Sequence, residues 1–215
     1  MEKLKFKIIN SAEDIDLFLD KVEGYTNVKL PHEYASRSKI VGVYSGKKLV
    51  AGYMIVTQPT FRSLLFVPDK TKSSHEFFRN EHFEMMEVNG LWIGPALKTP
   101  AQQLRVWFHL VADIFMSRKN YVLLMRDARN KTMDRFLSMA YPTKIYAGSP
   151  ILMADQKTHD TIEVSYTTRW KIVLNFHKYY MELLRRQKRA ALFAKTRGGT
   201  SHANLPETEL AQQFQ

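Results

Sequence analysis

Apolar residues recur at i, i+3, i+4 and i+7 through Ile15, Phe18, Leu19 and Val22, the spacing of one buried helical stripe. Ser11 stands where an N-cap belongs, and Gly24 where a helix of about three turns would stop. Residues 25–39 are polar and loop-like, with Pro31 among them. Residues 40–44 and 49–56 are β-rich runs, and Ser45-Gly46-Lys47-Lys48 between them predicts a hairpin. Residues 64–67 read as a third such run, ending at Pro68-Asp69, and residues 69–82 as a charged surface excursion without period.

A strand is expected over residues 84–93. Thr99-Pro100-Ala101-Gln102 then carries three helix-start signals at once: Thr at the N-cap, Pro at the first helical position, and Gln where a reciprocal capping box needs it. Leu104, Phe108, Val111, Ala112, Phe115 and Met116 continue as an apolar stripe. Residues 121–125 form an unbroken apolar run, the mark of a strand covered on both faces. Asn130 can cap a short helix with Met133, Phe136 and Leu137 on one side, and residues 144–147 read as another strand. Strand, helix, strand, helix, strand behind a hairpin predicts an α/β fold. Its mixed sheet would hold the helix-linked strands as parallel neighbours, with the hairpin adding antiparallel ones.

Composition narrows the picture. The chain has 215 residues, 45% of them hydrophobic, which is enough for one domain with a buried core. Cysteine is absent, which excludes thiolate-held clusters, Cys-containing zinc sites and a thiol nucleophile. No run approaches the roughly 18 apolar residues of a membrane-spanning helix, and the first residues lack the apolar core of a secretory signal. A soluble, cytoplasmic protein is the expectation. The net charge is +11, unevenly spread: residues 1–168 hold 23 Lys/Arg against 18 Asp/Glu, residues 169–197 hold 9 against 1, and residues 198–215 hold none against 2. The chain therefore divides into a globular domain (1–168), a basic helix packed on or extending from it (169–197) and a tail expected to be disordered (198–215). The concentrated charge points to a docking surface for something acidic.

The segment from Gly90 to Gln102 is the most informative chemically. A strand ends at Ile93, a loop with Gly94 and Ala96 follows, and Lys98 stands just before the capped helix start at Thr99. Small residues let backbone N–H groups approach a ligand, while the free donors and dipole at a helix start attract an anion. One reading is a phosphate or pyrophosphate site. The other is an ordinary strand-to-helix connection in which Thr99 itself satisfies the free N–H.

This order of elements, with an Asn-opened helix in Asp127-Ala128-Arg129-Asn130 through Phe136-Leu137 and on to Ala140-Tyr141, resembles the GNAT superfamily of acyl-CoA-dependent N-acyltransferases. The resemblance covers residues 38–148. It implies a GNAT-like mixed sheet with flanking helices, here followed by a C-terminal basic helix. It also implies acyl transfer from a thioester to an amine. Ile93, Gly94, Ala96, Lys98 and Thr99 would hold the donor's phosphates, and Asn130 would contact the donor. The donor would be acyl-CoA or an acyl-phosphopantetheine, without a metal. In this family a carboxylate on the strand before the loop often acts as base, so Glu87 and Glu84 are the candidates, with Glu87 closer to the loop. Departures from the pattern are visible. Leu91 stands where the loop motif usually has a basic or amide residue, Leu137 where many members have the Tyr that protonates the thiolate, and Ala140-Tyr141 where they have Gly-Phe. Tyr141 and Tyr146 are the nearby alternatives for the acid. The same departures suit a catalytically degenerate GNAT-like module that binds an acyl ligand or an acidic protein or membrane partner.

His75-Glu76 and Glu81-His82 lack the spacing that puts two imidazoles on one helix face, and His109 reads as a boundary residue of the long helix. Trp92 and Trp107 read as core residues, with lining of an acyl pocket open for Trp92. Residues 169–195 read as one helix, apolar at first and then basic through Arg185, Arg186, Lys188, Arg189, Lys195 and Arg197, with Leu192 and Phe193 among the charges. Residues 185–197 could dock an acyl carrier protein or an anionic membrane surface. No groove-reading motif accompanies the charge, which disfavours nucleic acid.

Overall fold

The alternation at the start of the chain makes an edge strand, β1 (Lys5–Ile9), whose Ile9 is buried while Lys5 and Lys7 stay in solvent. The computed structural model describes residues 3–79, 84–151 and 158–197. Helix α1 (Ala12–Thr26) is capped by the Ser11 side chain on Asp14 N–H and buries Ile15, Phe18 and Val22. It runs past Gly24 and ends at Asn27, which takes the left-handed conformation (φ 54°). The polar stretch that follows contains a short helix, α2 (His32–Ser36), which sinks Tyr34 and Ala35 into the core. Strands β2 (Lys39–Ser45) and β3 (Lys48–Val56) form the expected hairpin.

Two local expectations fail here. The β-rich run at 64–67 belongs to a helical turn, α3 (Arg62–Leu65), and the excursion contains α4 (Asp69–Ser74) followed by a tight turn over Glu76–Arg79. Phe77 on that turn is fully buried, its ring 4.2 Å from that of Tyr166, so this segment closes the core rather than leaving it. Burial of one aromatic residue outweighs the polar character of its neighbours.

Strand β4 (Met85–Ile93), helix α5 (Pro100–Met116), strand β5 (Tyr121–Asp127), helix α6 (Lys131–Leu137), and strands β6 (Thr143–Gly148) and β7 (Ile162–Thr168) complete a seven-stranded mixed sheet. Its order is β1-β2-β3-β4-β5-β7-β6. Among the described strands only β4 and β5 lie parallel; β7 enters between β5 and β6 and pairs antiparallel with both, so those two are not the neighbours expected. The single C-terminal helix is two, α7 (Arg169–Leu174) and α8 (Phe176–Arg197), broken at Asn175, whose side chain donates to the Lys171 carbonyl. The side chains of residues 190–197, including Leu192, Phe193, Lys195 and Arg197, lie outside what the structure describes, as do the tail 198–215 and the Glu81-His82 pair.

Helices cover both faces. Phe18 and Val22 of α1, Tyr34 of α2, and Phe61 and Phe66 flanking α3 pack with Met54, Met85 and Leu123 on one side. Leu110 and Ile114 of α5, Phe136, Ile172, Tyr179 and Leu183 pack with Tyr53, Met86 and Val122 on the other. No helix of the described residues is long and apolar enough to cross a membrane.

Candidate functional site

Strand β4 leaves its parallel partner early. It pairs with β5 only at Met85↔Tyr121, Met86↔Val122 and Glu87↔Leu123. Beyond that, β4 continues along β3 to Ile93 while β5 continues along β7 to Asp127. The divergence has a visible cause. Met54 faces Asn89 and Gly52 faces Trp92, so three steps on β4 match two on β3, a bulge centred on Gly90 (φ 56°). The left-handed φ favours glycine at this position, and a Cβ there would make a tight 3.2 Å contact with Val22. The result is a wedge-shaped opening whose two strand edges carry backbone groups with no ladder partner.

The loop from Ile93 to Thr99 lies at the open end of this wedge. Gly94 donates to Val50 O at 2.9 Å, and a Cβ there would come within 2.8 Å of that oxygen, so glycine lets the loop hug β3. Leu97, almost fully buried, anchors the loop from below, and Gln103 ties its carbonyl at 3.0 Å. The capping box is complete: Thr99 Oγ1 accepts from Gln102 N, and Gln102 Oε1 accepts from Thr99 N. What remains are the N–H groups of Ala96, Lys98 and Ala101, which donate to nothing among the described residues. They stand beside the exposed Lys98 at the start of a 17-residue helix with no acid in its first turn. Such a set of donors suits a phosphate. Asn130 sits at the same end of the sheet, beyond β5. Its carbonyl oxygen caps α6 through Met133 N at 2.9 Å, which leaves its NH₂ group for a ligand.

The carboxylates are placed differently. Glu84 precedes β4 at the closed end, held by Asn120 just before β5. Glu87 sits at the vertex, fully buried, and takes four donors: Tyr34 OH at 2.5 Å, the N–H groups of Arg62 and Ser63 at 2.8 Å each, and Asn89 Nδ2 at 3.4 Å. Burial and the adjacent carboxylate push the Tyr34 phenol far up, so Tyr34 stays a donor. Burial lowers the Arg62 guanidinium, with Glu87 opposing.

Tyr141 lies beyond the turn at Ser138–Ala140, more than half exposed, and its hydroxyl accepts from Lys178 Nζ at 2.6 Å. It precedes Thr143, which aligns through Tyr166 with Leu123, and so stands level with the closed end, apart from the loop and Asn130. Tyr146, on β6, donates to the Ser149 carbonyl just beyond the strand. Trp92 is buried and stacked on Tyr25, and His109 bonds Tyr53 OH at 2.6 Å. His75 Nδ1 accepts from Phe77 N, and no group of three His, Asp or Glu among the described residues could hold a metal ion.

One cluster has no signature in the sequence. At the open end, His159 Nδ1 lies 3.9 Å from Asp127 Oδ2, and Arg129 joins Asp127 at 3.6 Å to Asp160 at 2.9 Å. Burial lowers the His159 pKa; Arg129 and Arg62 add to this, and Asp127 and Asp160 oppose it. Only the β5–β7 register, which sets Asp127 beside Ile162, brings residues 127 and 159 together.

No protein-family sequence model matches the chain, and neither does any curated protein. Solved structures do match in fold. FeeM, an N-acyl amino acid synthase from uncultured soil microbes, superposes with a TM-score of 0.58 at 11% identity, covering 79% of this chain and 92% of its own. An N-acetyltransferase from Staphylococcus aureus Mu50 gives 0.52 at 7% identity over 78% of this chain and 99% of its own. The ribosomal-protein-S18-alanine N-acetyltransferase from Escherichia coli gives 0.50 at 9% identity over 77% and 94%.

Proposed function

We infer from the GNAT fold of this chain that it is an N-acyltransferase, moving an acyl group from acyl-CoA or an acyl carrier protein to an amine. One observation carries the reading: the wedge between β4 and β5 opens toward three unpartnered amides and Lys98. A thioester donor would lay its phosphates on Ala96, Lys98 and Ala101. Its pantetheine amides would meet the unpaired strand edges and the Asn130 NH₂ group. The amine nitrogen attacks the thioester carbon, an N–H of the β4 edge stabilises the oxyanion, the C–S bond breaks, and the thiolate takes up a proton.

The amine's proton needs an acceptor with a free lone pair. Both Glu87 oxygens are engaged by protein donors, so in this reading Glu87 holds Tyr34 and the start of α3 in place. Glu84 is at the wrong end of the strand. His159, kept neutral near pH 7 by burial, offers Nε2, while Asp127 behind Nδ1 favours the imidazolium once formed. The N-acyl amino acid synthase neighbour supports an amino acid as the acceptor. The basic residues 185–197 would receive an acidic carrier protein or an anionic surface.

A second reading has its own support. Leu137 occupies the family's acid position and Tyr141 faces Lys178, which suits a module that binds the thioester without turning it over. Incubation with acyl-CoA and acyl-carrier donors plus amino acid acceptors, followed by thiol release and product mass, decides between them. Thiol release dependent on acceptor is expected. Thermal stabilisation without thiol release would assign the module instead, and neither effect with any donor would remove both.

A further inference from the structure

The outer face of α5, α7 and α8 is built unlike the rest of the surface. Phe108 is 64% exposed, Met116 71%, Trp170 49%, Leu174 69% and Met181 62%. Phe108 and Met116 on α5 stand eight apart and Trp170 and Leu174 on α7 four apart, the spacing of one helical face, and Met181 extends it onto α8. Contacts between Phe115 and Trp170 (5.3 Å) and between Phe108 and Phe176 (5.9 Å) join the two stripes into one surface. Beside Phe108 opens a groove of about 370 Å³ lined by Phe6, Leu104, Arg105, His109 and Phe176. Leaving aromatic and aliphatic side chains in water over three adjoining helices is unfavourable unless something covers them.

Charge says what covers them. Arg105, Lys171, Arg185, Lys188 and Arg189 are exposed around these helices. The only acids on all three helices are turned inward. Asp113 is held by Lys39 at 2.7 Å and Tyr53 at 2.9 Å, and Glu182, buried, is held by Arg135 at 3.2 Å and Arg186 at 3.4 Å. Five exposed cations with no exposed acid on these helices would repel a second copy of the same face, although Arg185 also lies 3.8 Å from Glu182. A partner binding mainly by charge would leave the apolar stripe unexplained. Apolar rows with cations at their edges and tryptophan among them match an interface of headgroups over acyl chains.

We propose that the α5–α7–α8 face docks on an anionic lipid surface, with Phe108, Trp170, Leu174 and Met181 entering the headgroup–acyl boundary and the flanking cations against lipid phosphates. This stands independently of the acyl-transfer reading. The test uses the full chain with phosphatidylcholine vesicles with and without phosphatidylglycerol, some carrying brominated acyl chains. Co-sedimentation with the anionic vesicles is expected, together with quenching of tryptophan fluorescence that Trp170→Phe largely removes. The triple variant Phe108→Ser, Leu174→Ser, Met181→Ser should partition about tenfold more weakly. Lys171→Glu with Arg185→Glu should weaken binding to anionic vesicles alone. Sedimentation without quenching, or unchanged partition of a folded triple variant, would reduce the effect to charge adsorption and overturn the proposal. So would absence of binding to either vesicle. The quenching needs no variant, so the test survives a variant that fails to fold. A dimer in vesicle-free buffer that the triple variant abolishes would assign the face to a second copy and equally overturn it.

Discussion

Glu87 gathers a phenol, two backbone amides and a side-chain amide on one buried carboxylate, joining β4, α2 and α3 at the vertex of the wedge. Removing one partner from such a set leaves the others unsatisfied in a site that water does not reach. Glu87→Gln is therefore expected to lower unfolding free energy by about 2–4 kcal/mol in urea titrations, whereas Glu84→Gln should change it by less than about 0.5 kcal/mol. Loss of acyl transfer in Glu87→Gln with stability intact would make Glu87 the base after all. His159 supplies a pH test. Its folded pKa lies below the ordinary 6.5, so between the two values the unfolded chain binds a proton that the folded chain does not. Its contribution to stability is present above pH 6.5 and is lost as pH falls through 6.5 toward the folded value. Unfolding curves between about pH 7.5 and 5.5 should show a shallower decline in His159→Asn than in the parent protein. Equal slopes would place His159 outside this linkage.

The elements differ in how much of their origin is local. Helix α5 announces itself within four residues, because a capping box is made by neighbours three apart and needs no distant partner. Thr99→Ala should cost about 1 kcal/mol. Helix α3 has no cap of its own: the carboxylate that receives its first N–H groups belongs to Glu87, 25 and 24 residues further along. That is why residues 64–67 read as a strand. The loop before α5 sits between these cases. Its glycine is legible, but the reason for it is the Val50 carbonyl across β3. Gly94→Ala should destabilise by about 1–3 kcal/mol through overpacking, measured by thermal unfolding. In the proposed acyltransferase, Lys98→Glu should leave the fold unchanged, because Lys98 is exposed, and raise KM for the thioester about tenfold with kcat retained, because its charge would act on the donor's phosphates.

On the scale of the molecule, the parting of β4 from β5 makes the proposed donor site, and it depends on a bulge, a glycine and the strands on either side acting together. A donor seated there binds the folded state alone. At about a hundred times its Kd it should add about 2.7 kcal/mol, which raises Tm by about 5–10 °C for a chain of this size; differential scanning fluorimetry with acyl-CoA reads this directly. Absence of any shift at saturating donor would remove the wedge as its site. Strands and helices with a regular apolar period, the Thr99 cap, the Asn130 cap and the cationic C-terminal run were settled by residues within a turn or two of one another, and all could be read along the chain. The insertion of β7 between β5 and β6, the burial of Phe77, the commitment of Glu87 to α3, the turning of Tyr141 toward Lys178 and the meeting of Asp127 with His159 were decided only in the folded chain. Each depends on strand register and on groups tens of residues apart, and no local spacing encodes either.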